Sequence, residues 1–301
     1  MKDLARKYLT VLLAAVFLIS TALLVSSTLD KKKANETYQQ AQQIAGLNGN
    51  GTVREETKPA AETEFIAEET EPVQETVPVE TEPRTVWVPA AVEEDDYMKN
   101  LASTDLDALR EINPDVVGWI FLPNSQVNYP IVQGEDNQYY LEHTWNNQKS
   151  IAGSIFLEAS NAPDFSDFRS ILYGHNMANM SMFAILHNYT SEYYINSYPY
   201  VYLVTDEGVL RYEIYSSYKA AVDSKTYAIE LDERMKASFI RMTVEESEVD
   251  VGIVPAETDR ILTLSTCTGN YDTRRVVHAR LVMEEVIIIS EEIGKNDSPQ
   301  G

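Results

Sequence analysis

Cys267 is the single cysteine among 301 residues, and it closes a strand-like run, DRILTLSTC. A lone thiol has no partner for an internal disulfide, so in an oxidising compartment it is either buried and inert or kept for chemistry. Burial is the ordinary fate of a free cysteine. A thiol nucleophile needs a neighbouring base or cation that favours the thiolate, and a donor for the oxyanion formed on attack. Four histidines are available. His175 stands where RSILYGH breaks into Asn-Met, and a glycine beside an imidazole at a strand end can aim the ring into a cleft. His143 lies in LEHTWNN, His187 in a helical patch and His278 inside the last strand-like run. Each of the four also fits a surface or satisfied core position.

A cation follows within reach. Arg274 and Arg275 come after TGNYDT, a link short enough to join two adjacent strands. Alternation puts Arg274, Val276, His278 and Arg280 on one face and Arg275, Val277, Ala279 and Leu281 on the other. The second set is the more apolar, so Arg274 is the arginine expected in a polar cleft with Cys267. An ordinary solvated strand start accounts for a paired arginine equally well.

These residues need elements to hold them. Strands are expected at residues 116–122, 127–133, 153–158, 169–175, 198–205, 209–221, 260–267 and 275–289. Short helices are expected after a Ser103–Thr104 cap, with Leu106, Leu109 and Ile112 on one face, and at 181–189 and 233–246. Many short strands with few helices point to a mainly β fold, a closed or nearly closed barrel. The regular alternation with long helices that marks a parallel α/β sheet is missing.

The N-terminal third reads differently. Residues 8–29 carry no charge over 22 positions, about 33 Å of helix at ~1.5 Å per residue, enough to cross a bilayer. Lysines and an arginine flank the stretch on both sides, and no Ala-x-Ala cleavage site stands out, which favours a retained anchor over a cleaved leader. The chain therefore divides into a cytoplasmic start (1–7), an anchor (8–29), a spacer (30–96), a catalytic domain (97–290) and a polar tail (291–301). Between residues 53 and 96 there are 14 acidic side chains against three basic ones, with prolines at 59, 72, 78, 83 and 89. Such a stretch repels itself and buries too little to offset the entropy of folding. Trp87 is its one candidate for docking onto the folded part.

Residues 97–301 hold 15 Lys or Arg against 30 Asp or Glu, so no basic nucleic-acid footprint is present. One cysteine with scattered histidines makes no close ligand set for a metal. The NGNG at 48–51 lies in the spacer and follows no strand, so it makes no phosphate loop. Nucleophilic chemistry at a thiol needs no cofactor, and none is expected.

Four blocks then resemble a known family. TLSTCTGNYDTRRVVHARL (263–281), ILYGHNMANMSMF (171–183), GWIFLPNSQVNYPIVQ (118–133) and GSIFLE (153–158) look like a class B sortase, a Gram-positive surface transpeptidase, over roughly residues 97–290. The resemblance implies an eight-stranded sortase barrel with an N-terminal helical element and a helix before the cysteine strand. It implies Cys267 as nucleophile, His175 as general acid and then base, and Arg274 as the arginine that stabilises the oxyanion. Thr266 and Arg275 are further candidates for that oxyanion or for substrate positioning. The acyl donor would be a secreted protein with a C-terminal sorting signal such as NPxTN or NPxTG, cleaved after threonine. The acceptor would be an amine of a peptidoglycan precursor or a pilin lysine. The enzyme would be a single-pass membrane protein, monomeric, with its catalytic domain outside the cell. Two other readings compete: a cysteine peptidase in which water resolves the acyl enzyme, and a noncatalytic wall-interaction module in which Cys267 is merely buried.

Overall fold

Runs of β-branched and aromatic residues become eight strands in the computed structural model, which describes residues 2–47, 96–229 and 231–286. They are β1 (Val116–Phe121), β2 (Asn128–Val132), β3 (Ile155–Leu157), β4 (Arg169–Tyr173), β5 (Tyr200–Thr205), β6 (Gly208–Ala221), β7 (Ile261–Cys267) and β8 (Thr273–Val286). The strands close into a barrel in the order β1-β2-β3-β4-β7-β8-β6-β5, and β5 pairs back onto β1. Closure leaves no edge strand to template aggregation. Two neighbouring pairs run parallel, β2 with β3 and β4 with β7. The expected eight-stranded barrel is borne out.

The expected helices shift in detail. The stretch at 181–189 is a 3₁₀ helix, Phe183–Thr190. The one before the cysteine strand is an α-helix, Glu233–Glu245, whose cap Asp232 accepts from the amides of Arg234 and Met235. The Ser103–Thr104 cap is not used. Both hydroxyls bond back to the carbonyls of Asn100 and Leu101. Asp105 caps the short helix Leu106–Arg110 instead, its carboxylate accepting from the Ala108 amide at 2.9 Å. That one-residue slip leaves Ile112 beyond the helix and 47 % exposed.

The largest correction concerns the start of the spacer. One helix, α1, runs from Lys2 to Ile44, and its second half packs on the barrel. Ala34, Thr37, Tyr38, Ala41 and Ala45 recur at helical spacing and are buried. Tyr38 donates its hydroxyl to the Gly153 carbonyl at 2.5 Å, the Trp145 indole donates to the Thr37 carbonyl at 3.2 Å, and Gln42 donates to the Asn128 carbonyl at 3.0 Å. Gly46 then ends the helix at φ +74°, a left-handed turn that glycine adopts without strain, and Leu47 bonds back to the Gln42 carbonyl. Residues 30–47 therefore belong to the fold. Small residues every turn let a helix approach a sheet closely, and an alanine-rich seam inside a polar stretch is easily read as spacer.

The rest of the spacer (48–95, with Trp87), Glu230 and the tail after Val286 lie outside the described residues. So do the side chains of residues 8–11 and 14 in the expected anchor. Among the described residues no helix is long and apolar enough to cross a membrane.

Inside the barrel, Leu172, Leu262, Leu264, Val277 and Ala279 are fully buried. The outer face of the same strands is covered as well. There Thr263 pairs with His278, and the Glu233–Glu245 helix brings the Phe239 ring to within 5.8 Å of the imidazole. His278 shares hydrogen bonds with Thr263 Oγ1 at 2.9 Å and with the Tyr218 hydroxyl at 3.1 Å. Burial pushes its pKa down to about 3, so it is held neutral and is a structural residue. The unfolded chain binds a proton there that the folded one refuses. Its contribution is therefore full above pH ~6.5 and is lost progressively as pH falls toward 3. Urea unfolding at pH 7.5, 6.5 and 5.5 should show stability falling toward the acid end by up to about 1.4 kcal/mol per pH unit. His278→Gln should flatten that slope; equal slopes for the two proteins would refute this assignment.

Candidate active site

Three strands bring the expected catalytic residues to one end of the barrel. In the parallel pair, Tyr173 of β4 is opposite Ser265 of β7. Two residues further along both chains lie His175 and Cys267. In the antiparallel pair, Cys267 is opposite Arg274 of β8. Cys267, the last residue of β7, and Arg274, the second of β8, are both partly exposed, as is His175 just past β4. Alternation directs these positions to the outward face.

His175 is placed by a chain of main-chain bonds. The Gly174 amide donates to the Ser265 carbonyl at 3.1 Å, and Phe183 returns its amide to the His175 carbonyl at 2.9 Å. A Cβ on Gly174 would stand 2.4 Å from Ile155 Cδ1 and 2.8 Å from the Phe183 ring, so a larger residue here must push those side chains aside. The imidazole Nε2 lies 2.7 Å from the Leu141 carbonyl, which makes it the donor and fixes the tautomer.

Arg274 donates from Nη1 to the carbonyls of Tyr271 and Thr273, each at 3.0 Å. The turn thus orients the guanidinium, and Nε and Nη2 keep donors for an incoming oxygen. Its neighbour is not equivalent. Arg275 is 2 % exposed on the opposite face and donates to Glu248 at 2.8 Å. Thr266, paired with Arg275, is also buried and donates its hydroxyl to the Gly174 carbonyl at 2.7 Å. Neither of these two expected oxyanion or positioning groups faces the cleft. Alternation sends both inward, where Thr266 ties the His175 segment to β7 and Arg275 anchors Glu248.

Asn176, which sequence reasoning passed over, and His187, one of the four candidate histidines, converge on the main chain of Cys267. Asn176 Nδ2 and His187 Nε2 lie 3.1 and 3.0 Å from the Cys267 carbonyl, and both donate to it. This clamp registers the loop that follows His175 against the end of β7. Asn176 stands next to His175 in GHNM, but nothing local in the sequence reveals that His187 folds back onto Cys267. His143 stacks on Tyr139 at 4.1 Å and takes no part.

Aromatic rings lie on the outward face beside Cys267. Tyr227, from the connection between β6 and β7, shares a 2.9 Å hydrogen bond with Ser265, and its ring lies 6.5 Å from that of Tyr173. Burial raises the Tyr227 pKa, and its electrostatic neighbours include Arg274 and Cys267. Tyr173 in turn donates to the buried Glu158 at 2.8 Å. Among the described residues no group of His, Cys, Asp and Glu could hold a metal ion.

Comparison with known proteins agrees with this architecture. A Sortase domain family model matches residues 120–282. Sortase B of Listeria monocytogenes is 33% identical over 201 residues, covering 62% of this chain and 80% of that protein. The structure of a Staphylococcus aureus sortase B–substrate complex superposes with a TM-score of 0.56 at 28% identity, covering 59% of this chain and 84% of that one. A structure of Sortase B complexed with triglycine gives a TM-score of 0.55 at 29% identity, covering 58% and 84%. A closed eight-stranded barrel with a thiol at the end of β7 defines the class: a cysteine transpeptidase. The chain belongs to the sortase family, and within it to the class B type. That sets aside the noncatalytic wall-interaction reading.

Proposed function

We propose that Cys267, His175 and Arg274 carry out the transfer on C-terminal sorting signals of secreted proteins. The observation that supports this most directly is the register, which sets the three residues level on neighbouring strands of one wall. The Cys267 sulfur attacks the threonine carbonyl of a signal of the NPxTN or NPxTG kind. An S–C bond forms, the scissile C–N bond breaks, and the His175 imidazolium gives its proton to the leaving amine. His175, now neutral, takes a proton from an incoming amine as the amine nitrogen forms the new amide bond, the S–C bond breaks and the thiolate is released beside the restored imidazolium. Arg274 faces the oxygen on which negative charge develops, where a fixed cation is worth most. The substrate-bound and triglycine-bound relatives make a sorting peptide and an amine suitable probes. The natural acceptor is an amine of a peptidoglycan precursor or a pilin lysine.

The same reading places the domain outside the cell on a single-pass anchor at residues 8–29. The consecutive residues Val16, Phe17, Leu18 and Ile19, with Leu12, Leu13, Leu23, Leu24, Val25 and Leu29, are exposed around α1. Apolar side chains on every face of a helix suit lipid better than one protein groove. Recovery of the full chain in the alkali-washed membrane fraction supports the anchor; release into the wash counts against it.

The transfer is tested with the full chain in detergent, because residues 30–47 pack on the barrel. NPxTN, NPxTG and LPxTG peptides would be offered with and without triglycine, and product masses read. Amide product formed after threonine supports the proposal. Acid product alone, even with the amine present, favours the cysteine peptidase reading, and no cleavage of any signal refutes the assigned donor.

A further inference from the structure

Arg169 opens β4 at the end far from His175, on the same outward face and six positions away, about 20 Å at ~3.3 Å per residue. Its side chain is 3 % exposed and pairs with no carboxylate among the described residues. Burial pushes its pKa down to about 10, which leaves it charged at neutral pH. The guanidinium lies 4.9 Å from the centre of the Phe239 ring. Its Nη1 donates to the Thr226 carbonyl and its Nη2 to the Ala228 carbonyl. Taking a cation out of water costs several kcal/mol, and an apolar side chain of similar volume would fill the space without that cost. The charge is explained by what it holds.

The two carbonyls it holds flank Tyr227. The residue before is pinned too, since Thr226 Oγ1 shares a 2.9 Å hydrogen bond with the Tyr218 hydroxyl. Tyr227 itself reaches Ser265, two positions before Cys267 on the same face. A planar fork meets two carbonyls separated by one residue in a way that a single ammonium cannot.

We propose that Arg169 is a positioning residue for the acyl-donor peptide: it grips residues 226–228 by both flanking carbonyls and so holds Tyr227 as the cleft wall beside Cys267. It acts through Tyr227 and touches no reacting atom. The proposal rests on Cys267 being the nucleophile, and it assigns Arg169 to substrate binding rather than to the chemical step.

The test compares full-length Arg169→Gln, Arg169→Lys and Tyr227→Ala with the parent. For Arg169→Gln, KM for the cleaved peptide should rise about tenfold while kcat stays within about threefold. Arg169→Lys should fall between. Tyr227→Ala should raise KM similarly, and combining it with Arg169→Gln should add little. Alkylation of Cys267 by iodoacetamide should keep its rate, while amide exchange over residues 222–229 quickens. An unchanged KM overturns the proposal, and so does a parallel fall of kcat, alkylation rate and melting temperature, the mark of a purely structural role. If Arg169→Gln fails to fold, the lysine variant and Tyr227→Ala decide by the same KM criterion. If the parent cleaves no signal, the donor assignment fails separately, and unchanged exchange over 222–229 would still overturn the grip.

Discussion

Cys267→Ala is expected to abolish transfer, lowering turnover at least about 10⁴-fold while leaving the melting temperature near that of the parent. Removing the nucleophile of a covalent mechanism removes the path itself, and the remaining cleft only binds. Little stability should go with it, because the side chain sits partly exposed at a strand end and its main chain is held independently of sulfur. Asn176 and His187 bind the Cys267 carbonyl and not the thiol. Peptide titration and a thermal melt on the same preparation separate the two effects. A variant that retains a tenth of the parent's turnover would rule out a thioacyl intermediate at this residue. A melt lowered by ten degrees would make Cys267 a packing residue.

The adjacent arginines should divide function from stability. Arg274→Ala is expected to lower kcat about 10²–10³-fold with little change in melting temperature, the usual cost of losing one oxyanion donor. Arg275→Ala should do the reverse. It leaves a cavity and strips Glu248 of its partner, yet Glu248 is 40 % exposed and water can replace part of the lost attraction. A loss of about 2 kcal/mol is expected, below the range for a fully buried pair, which lowers the melting temperature by several degrees. Initial rates under saturating peptide, read beside calorimetry of both variants, decide the matter. If Arg275→Ala loses turnover and Arg274→Ala does not, the alternation of β8 has been assigned to the wrong faces.

The placement of Arg274 beside Cys267 was legible because it depends on period-two patterning. A strand that ends in cysteine, a short turn and a second strand dictate that Arg274 stands opposite Cys267. The same parity sends Arg275 inward. Thr266 is adjacent to Cys267, but the same alternation turns its hydroxyl inward to the Gly174 carbonyl. What stayed illegible is long-range. His187 and Arg169 owe their roles to segments 80 and 57 residues distant along the chain. Neither local propensity nor charge marks them. The parallel pairing of β4 with β7 is of the same kind, since each strand looks ordinary by itself. Helical character at residues 34–45 is legible in the sequence, but their docking is not, because the buried seam of Ala34, Thr37, Tyr38, Ala41 and Ala45 carries little hydrophobic signal in an otherwise polar stretch.

The seam of α1 also sets a distance. Asp30, the residue after Leu29, already accepts a hydrogen bond from the Ile151 amide, so the exposed apolar half of the helix gives way to the barrel without an intervening length of chain. Further on, the Ala45 carbonyl accepts from the Asp105 amide, which ties the end of α1 to the chain beyond the acidic run. Both ends of that run are moored to one body. On the anchor proposed above, the distance from the membrane to the barrel is therefore set by α1 itself, whose docked half begins where its exposed apolar half ends.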